Sequence, residues 1–179
     1  MDDDRHGLRW TGARSRTVME GRLGIFVRKL LSHSRISTDD QAAIAALPFS
    51  IRTLEPNAYI LNEGERARIC PVILSGFAYR QKTAADGGRQ IVALKIPGDP
   101  LDFQSLYLDR ADHNLQALTK VELAIFSLED LERLVAPRPS LARAVFVDIL
   151  IEARVHAGNR AATSVEFRRL RHAQPDHAV

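Results

Sequence analysis

Most of the reactive residue types in this 179-residue chain are isolated from one another. The six histidines, at 6, 33, 113, 156, 172 and 177, are dispersed, and no His-x-His pair exists to start a strand-borne metal site. Cys70 is the single cysteine, which excludes a disulfide within one chain and any all-cysteine zinc or iron–sulfur site. Its apolar run predicts a buried structural thiol rather than a redox sensor. No Gly-rich phosphate loop, Ser-His-Asp order or paired-carboxylate motif is present. One stretch stands out, IPGDPLDFQSLYLDRADHN at residues 96–114. It gathers a reversal at Gly98-Asp99, a carboxylate at Asp102, Phe103, hydrogen-bond donors at Gln104 and Ser105, a guanidinium at Arg110, and the pair His113-Asn114. Such a set binds; it has no arrangement for bond making. His113 reads as a hydrogen-bonded loop residue, with a pH-sensing or haem-ligating role as the alternative.

The elements that must position this stretch change period twice. Ile25, Phe26, Leu30 and Leu31 follow helical spacing, and a second helix is predicted over residues 37–47, with Thr38 and Gln41 as a capping box and Pro48 as its stop. Seven short strand-like runs follow, at 51–54, 59–61, 69–74, 77–83, 90–96, 115–118 and 121–126. Glu63-Gly64, Ser75-Gly76 and Asp86-Gly87-Gly88 supply turn residues that tolerate positive φ. Phe77, Tyr79 and Gln81 before the last of these turns, with Ile91 and Ala93 after it, predict a long antiparallel pair with one polar face. Seven strands at this spacing predict a sandwich or jelly roll. Past Phe126 the period is helical again: a short helix opened by Ser127 and Asp130, then a long one over 137–157 that is apolar on nearly every side between Ala144 and Ile151. Such a helix needs two partners, its own barrel and another subunit. The dimer face expected on it is Val145, Asp148, Ile149, Glu152 and His156.

The bulk numbers fit one ordinary folded domain with extensions: 45% hydrophobic, 26% charged and 6% aromatic residues. A net charge of +3 with a pI of about 9.3 reads as a solvated basic surface more than a nucleic-acid face. No run of about 18 apolar residues and no secretion signal is visible, so a cytoplasmic protein without membrane contact is expected. Residues 1–24 read as a loose extension, 25–136 as helical lead-in, roll and short helix, and 158–179 as an irregular basic tail.

The ordered set Leu54-Glu-Pro-Asn-Ala-Tyr-Ile-Leu-Asn-Glu63-Gly64, Val72-Ile-Leu-Ser-Gly76, Asp86-Gly87, Ile96-Pro97-Gly98-Asp99 and Ala117-Leu-Thr119 resembles the cyclic-nucleotide-binding domain of the Crp/Fnr family of bacterial transcription regulators. The resemblance runs over about residues 25–156. It implies a mostly β fold with flanking helices, a β-roll followed by a long dimerisation helix, and an effector site at residues 98–114. In that family a short helix and a following Arg hold a cyclic phosphate, and a Glu holds the ribose. At the aligned places this chain has Asp102-Phe103 and Ala111-Asp112, with Arg110 one position away. Asp102 would repel a cyclic phosphate. The expected ligand is therefore either a cyclic nucleotide held through Arg110, Gln104 and Ser105, or another small anionic effector, with no further cofactor.

The family's DNA-reading winged helix-turn-helix needs roughly 60 to 80 residues, more than follow His156 here. The expectation is a sensor module without specific DNA binding, acting as a homodimer or a mixed dimer with a related regulator, and without enzymatic activity. The competing expectation is a ligand-free dimerisation module.

Overall fold

The protein is described by a computed structural model over residues 16–83 and 88–154, with side chains from residue 21 onward. Helix α1 (Arg16–Leu31) begins well before Ile25, so part of the expected loose extension is helical. Its residues Leu23, Phe26 and Leu30 are buried at the i, i+3, i+7 spacing of one helix face. Helix α2 (Thr38–Ala45) is capped one residue earlier than expected. Ser37, whose extended backbone suits an N-cap, accepts from the Asp40 amide at 3.1 Å, while the Gln41 side chain donates to the Ile36 carbonyl.

All seven expected strands form. They are β1 (Ser50–Leu54), β2 (Tyr59–Leu61), β3 (Ile69–Ser75), β4 (Ala78–Thr83), β5 (Arg89–Lys95), β6 (Asn114–Ala117) and β7 (Val121–Ser127). Two antiparallel sheets result, one in the order β1-β7-β3 and the other β2-β6-β4-β5. The turn glycines do what their placement requires: Gly64, Gly76 and Gly98 have φ of 84°, 81° and 95°. The Asp86-Gly87 reversal lies outside the described residues, but the hairpin it would close is there, pairing Ala78 with Lys95 and Thr83 with Arg89.

In the β1-β7-β3 sheet, β3 and β7 are buried on both sides, which explains their nearly continuous apolar runs, whereas the edge strand β1 is mostly exposed. Cys70, Val72, Ala124 and Phe126 pack with the helices, while Ile73, Val121 and Leu123 line the roll with Leu101, Leu115 and Ala117. Helix α3 (Leu128–Val135) starts after Ser127, whose side chain makes no capping bond. Helix α4 occupies residues 139–154, inside the 137–157 expected; the tail at 158–179 lies outside the described residues. Among the described residues no helix is long and apolar enough to cross a membrane.

A charged cluster inside the roll

The hairpin of β4 and β5 inverts the usual sorting of side chains. Arg80 and Lys95 are 1% and 3% exposed, whereas Ile91 and Leu94 are 62% and 57% exposed. The register explains the geometry. Ala78 faces Lys95 and Arg80 faces Ala93 across the ladder, so the two long cationic side chains point into the roll beside alanines that leave them room. A bulge between Arg80 and Gln81 then places Gln81 opposite Ile91 and buries both Arg80 and Gln81. The one-sided polar face expected for this pair is there, but it is turned inward.

Residues 98–101 run along β3, with Gly98 donating to the Ile73 carbonyl and Leu101 to that of Pro71. This crossing brings backbone carbonyls to the cations. Arg80 Nη2 donates to Leu101 O at 3.0 Å, and Lys95 Nζ to Pro100 O at 3.3 Å. From the other side α4 supplies a carboxylate: Glu152 Oε2 lies 3.3 Å from Arg80 Nη2, and Oε1 contacts Lys95 Nζ. One turn earlier on the same helix face, buried Asp148 lies 3.4 Å from His33 Nε2. Beside them Lys29 pairs with Asp99 at 2.7 Å. Two carboxylates spaced i, i+4 on α4 thus meet basic groups from the turn after α1 and from the four-stranded sheet.

Burial, and then the neighbouring Arg80 charge, pull Lys95 down to about 7, against the pull of Asp99 and Asp148. Burial likewise lowers Arg80 from its ordinary value, with Asp102, Asp112 and Asp148 opposing. Asp102, 1% exposed, is pushed up by burial despite the Ser105 hydroxyl, Arg80 and Lys95. His113 is held down to about 4, chiefly by burial and then by Arg80. A neutral His113 that donates its Nδ1 hydrogen to Asp112, at 2.8 Å, leaves Nε2 as an acceptor. Burial would raise Asp112, but hydrogen bonds from Lys82 and His113 outweigh it and hold the carboxyl below the usual range.

Three buried polar atoms of this cluster have no hydrogen-bond partner among the described residues: Arg80 Nε, Asp102 Oδ1 and His113 Nε2. A donor and an acceptor left unmatched in a low-dielectric interior each cost about 1 to 3 kcal/mol. Together with the two cations they can grip an anionic head and an adjoining hydroxyl or amide.

The residues expected to hold an effector divide into three groups. Asp102, Ser105 and His113 join the cluster, Ser105 by donating its hydroxyl to Asp102 Oδ2. Four are occupied with α1 or with packing. Gly98 lies against α1, where an added Cβ would meet Ile25 O at 3.0 Å, and Asp99 is paired to Lys29. Phe103 packs on Phe26 at a centroid distance of 6.0 Å, and half-buried Gln104 accepts at its carbonyl from Tyr107 and Leu108. The last two tie down the turn after β2: exposed Arg110 donates to Gly64 O at 2.8 Å, and Asn114 Oδ1 accepts from the Glu63 amide at 2.9 Å. The short helix here is a 3-10 turn, Phe103–Leu106, preceded by Asp102, whose carboxyl makes no capping bond to its amides and accepts the Ser105 hydroxyl instead. Arg80, Lys95 and Glu152 complete the cluster, and of these only Glu152 was singled out by sequence, in a different role. The pattern that could have found the others is Ala78-x-Arg80 beside Ala93-x-Lys95, each alternating with large apolar residues.

The dimer face expected on α4 is corrected in part by burial. Val145 and Asp148 are each 3% exposed and face their own chain, as does the carboxylate of Glu152. Ile149 packs partly against the core, and His156 lies outside the described residues. The outer face presents Phe146 and Leu150, 55% and 51% exposed. With 3.6 residues per turn, positions 146 and 150 lie opposite 144, 145 and 148.

Residues 51–138 match the family model described as the cyclic nucleotide-binding domain. No curated protein sequence matches the chain. Among solved structures, the chain is similar to the N-terminal domain of a transcriptional regulator from Streptomyces coelicolor A3(2), with 23% identity and a TM-score of 0.57 over 77% of this chain and 94% of that one. A cyclic nucleotide-binding domain from Methylobacillus flagellatus aligns at 16% identity and a TM-score of 0.64, covering 89% and 88% of the two chains. The catabolite activator protein of Thermus thermophilus aligns at 19% identity and a TM-score of 0.58, over 74% of this chain and 61% of its own length. At these identities the likeness establishes the fold, a cyclic nucleotide-binding roll whose structural neighbours include Crp/Fnr-type regulators.

Proposed function

We propose that this domain is a divergent effector sensor of the Crp/Fnr type, binding a small ligand inside the roll and reporting it through α4 to a second copy or to a related regulator. Its role is binding rather than catalysis. The observation that carries this reading is the inner charged cluster, where Arg80, Lys95, Asp102 and His113 stand deep in a fold whose relatives bind effectors in the roll. A cyclic phosphate held in the family's usual way does not suit these residues. Asp102 heads the 3-10 turn where a phosphate would sit, and Arg110 is turned outward to Gly64. The cation available to a ligand is Arg80, so the effector is expected to be a small anion, a cyclic nucleotide included only if its phosphate reaches Arg80.

A thermal-shift scan of the purified chain against cyclic AMP, cyclic GMP, related nucleotides and small organic acids tests this. A ligand at a hundred times its Kd adds about 2.7 kcal/mol, several degrees for a domain of this size. The expected result is a shift with at least one compound that Arg80→Gln abolishes and Arg110→Ala retains. A cooperatively melting dimer that no compound shifts would favour the second reading, a ligand-free dimerisation module, which the apolar outer face of α4 at Phe146 and Leu150 supports.

A further inference from the structure

Glu152 is the acidic partner that Arg80 and Lys95 share, and it comes from the last described turn of α4, the element that would carry a signal. Each cation also makes one bond to a backbone carbonyl, Arg80 to Leu101 and Lys95 to Pro100, in a segment hydrogen-bonded along β3. Glu152 differs from those carbonyls in two ways. Its side chain is 18% exposed where those of the cations are nearly sealed, and it stands on a helix, so it can leave them without breaking a sheet hydrogen bond. A carboxylate held by two buried cations, in a cluster that also contains an unpartnered Arg80 Nε–H and an unpartnered His113 Nε2, occupies the place an external acid would take.

We infer that Glu152 is a resident competitor for the effector. A small anion with one carboxylate or phosphate head and a neighbouring hydroxyl displaces it from Arg80 and Lys95, donates the hydroxyl hydrogen to His113 Nε2, and so frees the end of α4. This rests on the effector-sensor reading and adds to it the ligand class and the switch. Affinity in the wild-type protein is set by the difference between the effector's contacts and those of Glu152, because a ligand shifts the helix only by its differential affinity for the two states. No bond is made or broken beyond ion pairs and hydrogen bonds.

The test uses the full chain, with inorganic phosphate and L-lactate as the two probe anions and isothermal titration calorimetry as the readout. Glu152→Gln keeps the side-chain size and removes the competing charge. It is expected to bind at least one probe at least ten times more tightly than wild type, and Arg80→Gln in that background is expected to abolish the gain. If Glu152→Gln does not fold, Glu152→Asp retracts the carboxylate by one methylene and is expected to tighten binding by a smaller factor. In wild type, saturating probe is expected to speed hydrogen exchange of the amides at 150–154. Equal Kd values in wild type and variant, or unchanged exchange at saturation, would overturn the competitor. The two readings fail differently. A compound from the effector panel that binds wild type and Glu152→Gln equally sinks the competitor and leaves the sensor standing, whereas no binding by either protein to any probe or panel compound sinks both.

Discussion

Glu152 and Arg80 meet at 3.3 Å, one from the last described turn of α4 and the other from the inner face of the four-stranded sheet. The pair makes α4 an integral wall of the roll.

Removing the acid leaves each of two buried cations with a single carbonyl as its hydrogen-bond partner and with carboxylates only at longer range. Breaking a buried ion pair on one side costs about 3 to 5 kcal/mol when nothing replaces the partner. Glu152→Gln is therefore expected to lose about 3 kcal/mol in urea unfolding at neutral pH. Adding Lys95→Met should recover part of that loss by removing an unpaired charge. Equal stability of the single and double variants would contradict the pairing.

The imidazole of His113 supplies a pH dependence whose sign is fixed. Its folded pKa, about 4, lies below the ordinary value of 6.5, so between these limits the unfolded chain binds a proton that the folded chain refuses. Its contribution is intact above pH 6.5 and is lost as pH falls toward 4, at up to about 1.4 kcal/mol per pH unit. Asp102 and Asp148, held above their ordinary values by burial, act in the opposite direction. Comparison of wild type with His113→Gln isolates the imidazole: chemical denaturation between pH 4 and 6.5 should show the shallower loss of stability in the variant.

Two turn glycines with similar positive φ should respond differently to alanine. A Cβ at Gly76 would come within 2.2 Å of Lys120 O, whereas at Gly64 nothing lies within 4 Å. Gly64→Ala is expected to cost about 1 kcal/mol of backbone strain, and Gly76→Ala clearly more, because the strand-to-strand turn must also open. Melting temperatures of the two variants check the order.

On α4, Phe146→Asp with Leu150→Asp is expected to leave the fold intact and give a monomer by sedimentation. Val145→Asp, which places a charge in the core, is expected to unfold the domain instead. A soluble, folded Val145→Asp monomer would return that residue to the interface.

Cys70 should resist thiol reagents in the folded protein and react fully in urea. It is 0% exposed, and burial, ahead of the nearby Asp102, pushes its thiol up to about 12.

Reading the chain as a sequence was enough to determine the elements. Period-two runs between turn residues gave seven strands because a strand's alternation and a glycine's freedom are local properties, expressed in a few consecutive residues. The same local logic singled out 96–114 as a candidate ligand corner, of which Asp102, Ser105 and His113 join the buried cluster. It failed on direction. Phe77-x-Tyr79 and Ala78-x-Arg80 alternate equally well, and no local rule says which face turns inward when the apolar residues are on one side and the cations on the other. That choice depends on what meets the inner face, and here it is Glu152, brought back by α4 after β7 and α3 have closed the roll. The same holds for Arg110 and Arg80. Sequence proximity favoured the first, but its guanidinium is spent on Gly64, while cross-strand register carried the second to the interior. Ion pairs between distant segments exist only once the chain has been folded into contact, so the elements were written in the sequence and the cluster was decided by the tertiary structure.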